Sequence, residues 1–178
     1  MGHSLILGIG NTLLSDEGVG VRALQYIYEQ HPYLTDVRYV DGGTLSFTLA
    51  CEIADADNFI AIDAARLDAA PGTVRCFQGT AMDKFLGSKG CSVHEVGLLD
   101  LIDIAYLEEY LPRQRALIGI QPKKIDWGDS LTSSVTQSLP IVADHVLRQL
   151  RCWKKINNMS SILDSNQTNS NHKFYSFE

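Results

Sequence analysis

Glu17, Asp63 and His94 are the residues of this chain whose types and positions suggest chemistry. Glu17 lies in the glycine-rich stretch Gly8-Ile9-Gly10-Asn11 through Asp16-Glu17-Gly18-Val19-Gly20. Asp63 ends the apolar run Phe59-Ile60-Ala61-Ile62, and His94 sits in Ser92-Val93-His94-Glu95-Val96-Gly97. Two carboxylates and an imidazole in one crevice form a donor set suited to a divalent transition metal. Each residue also has a plainer reading. Glu17 reads equally as decoration of a helix dipole, and a lone histidine is usually structural. Asp16 is assigned as the cap of the helix that follows. Asp63 is harder to dismiss, because an ionised carboxylate closing a buried strand is costly without a partner.

Residues so far apart in sequence meet only if loops bring them together, and the hydrophobic pattern supplies such loops. Apolar runs near residues 4–9, 37–41, 58–63, 73–77 and 115–121 read as strands. Helical periodicity follows Gly18 up to His31-Pro32, then recurs over residues 45–54, 92–107 and 132–154. Ser92-x-x-Glu95 matches a capping box that would start the third of these, and Pro140 should bend the last. Strands alternating with helices predict an α/β three-layer sandwich, with a mainly parallel twisted sheet of about five strands and helices on both faces. In such a fold, loops at the carboxyl ends of parallel strands converge on one crevice. Residues 1–155 are expected to form a single α/β domain. The Asn- and Ser-rich residues 156–178 are expected to form a disordered tail.

Bulk properties narrow the function. The chain has 178 residues and a formal net charge of -6, with a sequence pI near 5.3, which argues against nucleic acid as the main partner. Cys51, Cys76, Cys91 and Cys152 are widely spaced and read as reduced thiols of a cytoplasmic protein. No apolar stretch approaches the roughly 20 residues of a membrane span. The first loop is not a dinucleotide fingerprint. Leu13 stands where the third glycine belongs, and Asp16-Glu17 would repel a pyrophosphate. Asn11 is expected to brace this loop through side-chain to backbone bonds.

Six segments in fixed order are more specific than any one of them. Gly8-Ile9-Gly10-Asn11 through Gly20 is followed by Asp41-Gly42-Gly43-Thr44, Ile62-Asp63-Ala64, Pro71-Gly72, Ser92-x-His94-Glu95-x-Gly97 and Gly119-Ile120-Gln121-Pro122. Together they resemble the hydrogenase maturation proteases, endopeptidases that trim the C-terminus of the large subunit of nickel–iron hydrogenases. The resemblance spans residues 4–150 and leaves the tail outside. It implies that Glu17, Asp63 and His94 are metal ligands. It also implies that the nickel is supplied by the substrate, a precursor of the hydrogenase large subunit, and that the protease is a monomer. Three protein ligands leave the site partly open, as such recognition requires.

For the hydrolytic step no serine or cysteine triad is recognisable, although Cys91 is near His94. Asp63 and Asp41 are the candidate catalytic carboxylates, and Asp41 reads as well as a residue that merely holds its turn. The rival class is a non-catalytic nickel-binding accessory or chaperone of hydrogenase assembly, built on the same ligands.

Overall fold

The first apolar run, Ser4–Ile9, is buried at every position and forms β1 at the centre of a sheet. A computed structural model of the chain describes residues 3–44, 46–88 and 97–170, with side chains as far as Ile156. The strands are β1, β2 (Val37–Gly43), β3 (Asn58–Ala64), β4 (Val74–Gln78) and β5 (Gln114–Ile120), in the order β2-β1-β3-β5-β4. All neighbours run parallel except the edge strand β4, which is antiparallel to β5. The helices are α1 (Val19–Gln30), α2 (Leu49–Ala54), α3 (Thr80–Gly87), α4 (Leu98–Leu107), α5 (Ser133–Thr136) and α6 (Leu139–Ser170). This is the three-layer α/β sandwich that the alternating pattern predicts.

Period-two alternation along the strands divides the core into two layers. Leu5, Leu7, Phe59, Ala61 and Leu117 pack with α2, α3 and α4 on one face. Ile6, Ile60, Ile62, Ala116 and Ile118 pack with α1, α5 and α6 on the other. A fully buried leucine or isoleucine contributes about 2 kcal/mol relative to exposure, so the central strands tolerate little polar substitution. Asp63 is therefore conspicuous as the polar residue continuing β3.

Four local expectations need correction. Helix α3 has no counterpart in the sequence reading, because Thr80–Gly87 is too short to show a clear helical period. A helix running unbroken from Ser92 to Leu107 is excluded, since Gly97 has extended backbone and α4 starts after it. The Asp100 carboxylate accepts the Gly97 N–H there at 2.7 Å. The last helix is in two pieces, and Pro140 lies in the first turn of α6, where no intrahelical N–H is required. Finally, α6 continues past the expected end at Lys154 to Ser170, because no glycine or proline follows Pro140 to stop it. Its backbone is thus helical through most of the segment expected to be a tail.

Candidate active site

In this strand order, β1 and β3 are neighbours whose onward connections leave toward opposite edges of the sheet. Crevices form at such switch points, beyond the carboxyl ends of the strands. Glu17 lies in the connection leaving β1, and Asp63 lies near the carboxyl end of β3. Both are almost wholly buried, with 3% and 4% of their surface exposed. The 3-10 turn Ser15–Gly18 that carries Glu17 packs directly on β3.

Glycines allow this close approach. An added Cβ at Gly20 would lie 2.1 Å from the carbonyl oxygen of Ile62, the residue before Asp63, and 2.3 Å from that of Ile9. At Gly10, with φ at +130°, a Cβ would meet the Glu17 carbonyl. Asn11 braces the loop as expected. Its side-chain oxygen accepts the Leu13 N–H at 3.0 Å, and its own N–H donates to the Glu17 carboxylate.

Asp16 has a different role from the helix cap assigned to it. Its carboxylate is fully buried and accepts the N–H groups of Lys123, Lys124 and Thr132 at 2.9, 3.0 and 2.6 Å, and the Thr132 hydroxyl at 2.8 Å. Asp16 thereby clamps the long connection after β5 against the connection after β1. No sequence rule reveals this, because its partners lie more than a hundred residues away. Gln121 acts similarly on the segment after Asp63, its side-chain oxygen accepting the Leu67 N–H at 2.7 Å. Its carbonyl also accepts the Gly72 N–H at 2.8 Å, tying Pro71-Gly72 to the end of β5. Three of the motif segments are thus braces around the crevice.

Asp41 is exposed at the carboxyl end of β2, where its Oδ1 accepts the Gly43 N–H at 2.9 Å. It is in register with Gly8, and Gly8 is in register with Ile62 on its other side. Two strand spacings therefore separate the backbones of Asp41 and Ile62, about 10 Å. Alternation places Asp41 with Val37 and Tyr39 on the α1 side, and Asp63 with Phe59 and Ala61 on the other. Backbone placement therefore does not make Asp41 and Asp63 a proton-sharing carboxylate pair, which requires about 3 Å.

His94 and Cys91 lie outside the described residues. Helices α3 and α4 lie on the same face of the sheet as Asp63. Among the described residues, no group of three His, Cys, Asp or Glu side chains is placed to hold a metal. The described cysteines do not suggest a nucleophile. Cys51 and Cys152 are on outer helical surfaces, and burial pushes the Cys76 thiol above its ordinary pKa.

The profile of the hydrogenase maturation protease family matches residues 20–149. The chain belongs to the hydrogenase maturation protease family. The protease is 37% identical over 150 residues to the hydrogenase expression/formation protein HupD of Rhodobacter capsulatus, covering 84% of this chain and 71% of that one. It is 30% identical over 148 residues to the hydrogenase 2 maturation protease of Escherichia coli, covering 83% and 90%. Its fold matches the hydrogenase maturating endopeptidase HybD of Escherichia coli with a TM-score of 0.76 at 31% identity, covering 84% and 92%. The role of the protease is therefore that of an endopeptidase in hydrogenase maturation. Among its described residues, no helix is long and apolar enough to cross a membrane.

Proposed function

We propose that this protease removes a C-terminal extension from the precursor of a nickel–iron hydrogenase large subunit after nickel has been inserted. In this reading Glu17, Asp63 and His94 engage the nickel already held by the substrate and so position the scissile bond. The observation that carries it is the burial of two carboxylates at the switch point of the sheet, Glu17 on the connection after β1 and Asp63 near the carboxyl end of β3. Buried carboxylates gathered at the crevice of an α/β sheet are candidates for binding or catalysis. Oxygen and nitrogen donors also suit Ni(II).

Hydrolysis requires a water oxygen to add to the scissile carbonyl carbon and a proton to reach the departing amine nitrogen as the C–N bond breaks. Asp41 is the carboxylate we assign to that proton transfer, at the rim of the crevice and separate from the nickel ligands. Its exposure keeps it accessible to a peptide, and Gly42-Gly43 lets a substrate backbone approach closely. Cleavage inspects the metal through one group of residues and moves the proton through another.

The test is to incubate the protease with nickel-loaded and nickel-free large-subunit precursor and weigh the products by mass spectrometry. Loss of a C-terminal peptide from the loaded form alone is the expected result. Equal cleavage of both forms would retain the protease but reject the nickel checkpoint.

A further inference from the structure

Leu13, Phe47, Ile125 and Trp127 leave 58%, 59%, 50% and 77% of their surface exposed, and all are on connections after the parallel strands β1, β2 and β5. Of these strands, β1 and β5 flank β3, so their connections lie on either side of the carboxyl end where Asp63 lies. Leu13 and Trp127 belong to segments that are joined directly. The Gly128 N–H donates to the Leu13 carbonyl at 2.9 Å, and the Ser15 N–H donates to the Gly128 carbonyl at 2.7 Å. Asp16 fixes the same two segments from beneath, through Lys123, Lys124 and Thr132. Next to Trp127, the Asp126 carboxylate accepts the Trp127 N–H at 2.8 Å and pairs with Lys124 at 3.4 Å. Those contacts hold the Asp126 carboxyl below the usual carboxylate range.

Large apolar side chains exposed on a braced backbone lose little conformational freedom on binding, and tryptophan is prominent among residues that anchor interfaces. We propose that Leu13, Ile125 and Trp127 form a docking surface for the large-subunit precursor beside the scissile bond, separate from the residues that engage its nickel. The occupant follows from continuity with the site. Leu13 and Glu17 lie on the same short connection, so a protein whose chain reaches Glu17 and Asp63 must cover Leu13 and its bonded neighbour. The inference rests on the precursor-processing reading above for the identity of that protein.

Binding of the intact protease to immobilised precursor, nickel-loaded and nickel-free, tests it alongside processing kinetics. Trp127→Ala and Ile125→Ala are expected to weaken binding to both forms about tenfold or more, raising KM with kcat nearly unchanged. Tyr33→Ala, which removes a more exposed aromatic from the α1–β2 connection, should leave binding as in the wild type. Circular dichroism melting should be unaltered in all three variants. If Trp127→Ala and Ile125→Ala bind within twofold of wild type, or if the wild-type protease binds neither form, the docking surface is overturned. Loss of the nickel preference with the tryptophan effect intact would instead reject the checkpoint and keep the docking surface.

Discussion

The two ends of the sheet differ in what they bury and what they leave open. At the amino end, a groove of about 770 Å³ lies between α4, the start of β5 and α3, lined by Leu99, Ile102, Tyr106 and Leu111 among others. Two of its charged side chains are paired with each other, Arg115 holding Asp83 through two hydrogen bonds of 2.9 and 2.5 Å. At the carboxyl end it is carboxylates that are buried, Asp16, Glu17 and Asp63. An arginine–aspartate pair stabilises a fold, whereas carboxylates gathered at a topological switch point can act on something brought to them.

The sharpest way to break this contrast is to remove charge at each end without changing size. Asp63→Asn should lower processing of nickel-loaded precursor about a hundredfold or more, with thermal unfolding close to that of the wild type. Asp83→Asn should do the reverse, leaving processing intact and costing about 1–2 kcal/mol by urea unfolding, since this pair is partly exposed. If Asp63→Asn still processes, the carboxyl end loses its assigned role.

Within the carboxyl end, Asp16 and its neighbour Glu17 should separate just as clearly. Asp16→Ala leaves four donors without their acceptor and is expected to destabilise by about 3 kcal/mol or more. Gly20→Ala should cost about 1–3 kcal/mol through the clash with the Ile62 carbonyl, and should impair processing by displacing the end of β3. Asp41→Asn has a smaller expected effect on the fold, because it is exposed and an asparagine oxygen can still accept the Gly43 N–H. A kcat reduced about a hundredfold in that variant marks proton transfer, and an unchanged kcat marks a turn-holding residue only. The smallest effect belongs to truncation after Lys155, which should leave melting temperature and processing nearly unchanged. It removes residues 156–178, which follow Trp153, the last buried residue of α6 among the described side chains.

Much of the architecture was legible because it is written in local pattern. Apolar runs such as Asn58–Ala64 and the periodic face of α1 identify their elements without reference to the rest of the chain. The candidate residues were legible for a different reason: they stand in motifs at the ends of those runs. What escaped were elements too short or too polar to show a period, such as α3, and the point where the last helix divides around Ser138. The Ser92-Glu95 capping box lies outside the described residues, and the non-helical Gly97 places the start of α4 after it.

By itself, then, the sequence determined the alternation of strands and helices, the residue types available for metal binding, and the family. Those follow from spacing along one chain, where neighbouring residues dictate backbone conformation. Only the tertiary structure decided that Asp16 is a brace while Glu17 beside it packs against β3, and that Asp41 and Asp63 are held apart by β1. Nor could spacing alone bring Leu13 beside Trp127. Each depends on strand order and on hydrogen bonds between segments about thirty to more than a hundred residues apart, contacts for which no local pattern leaves a trace.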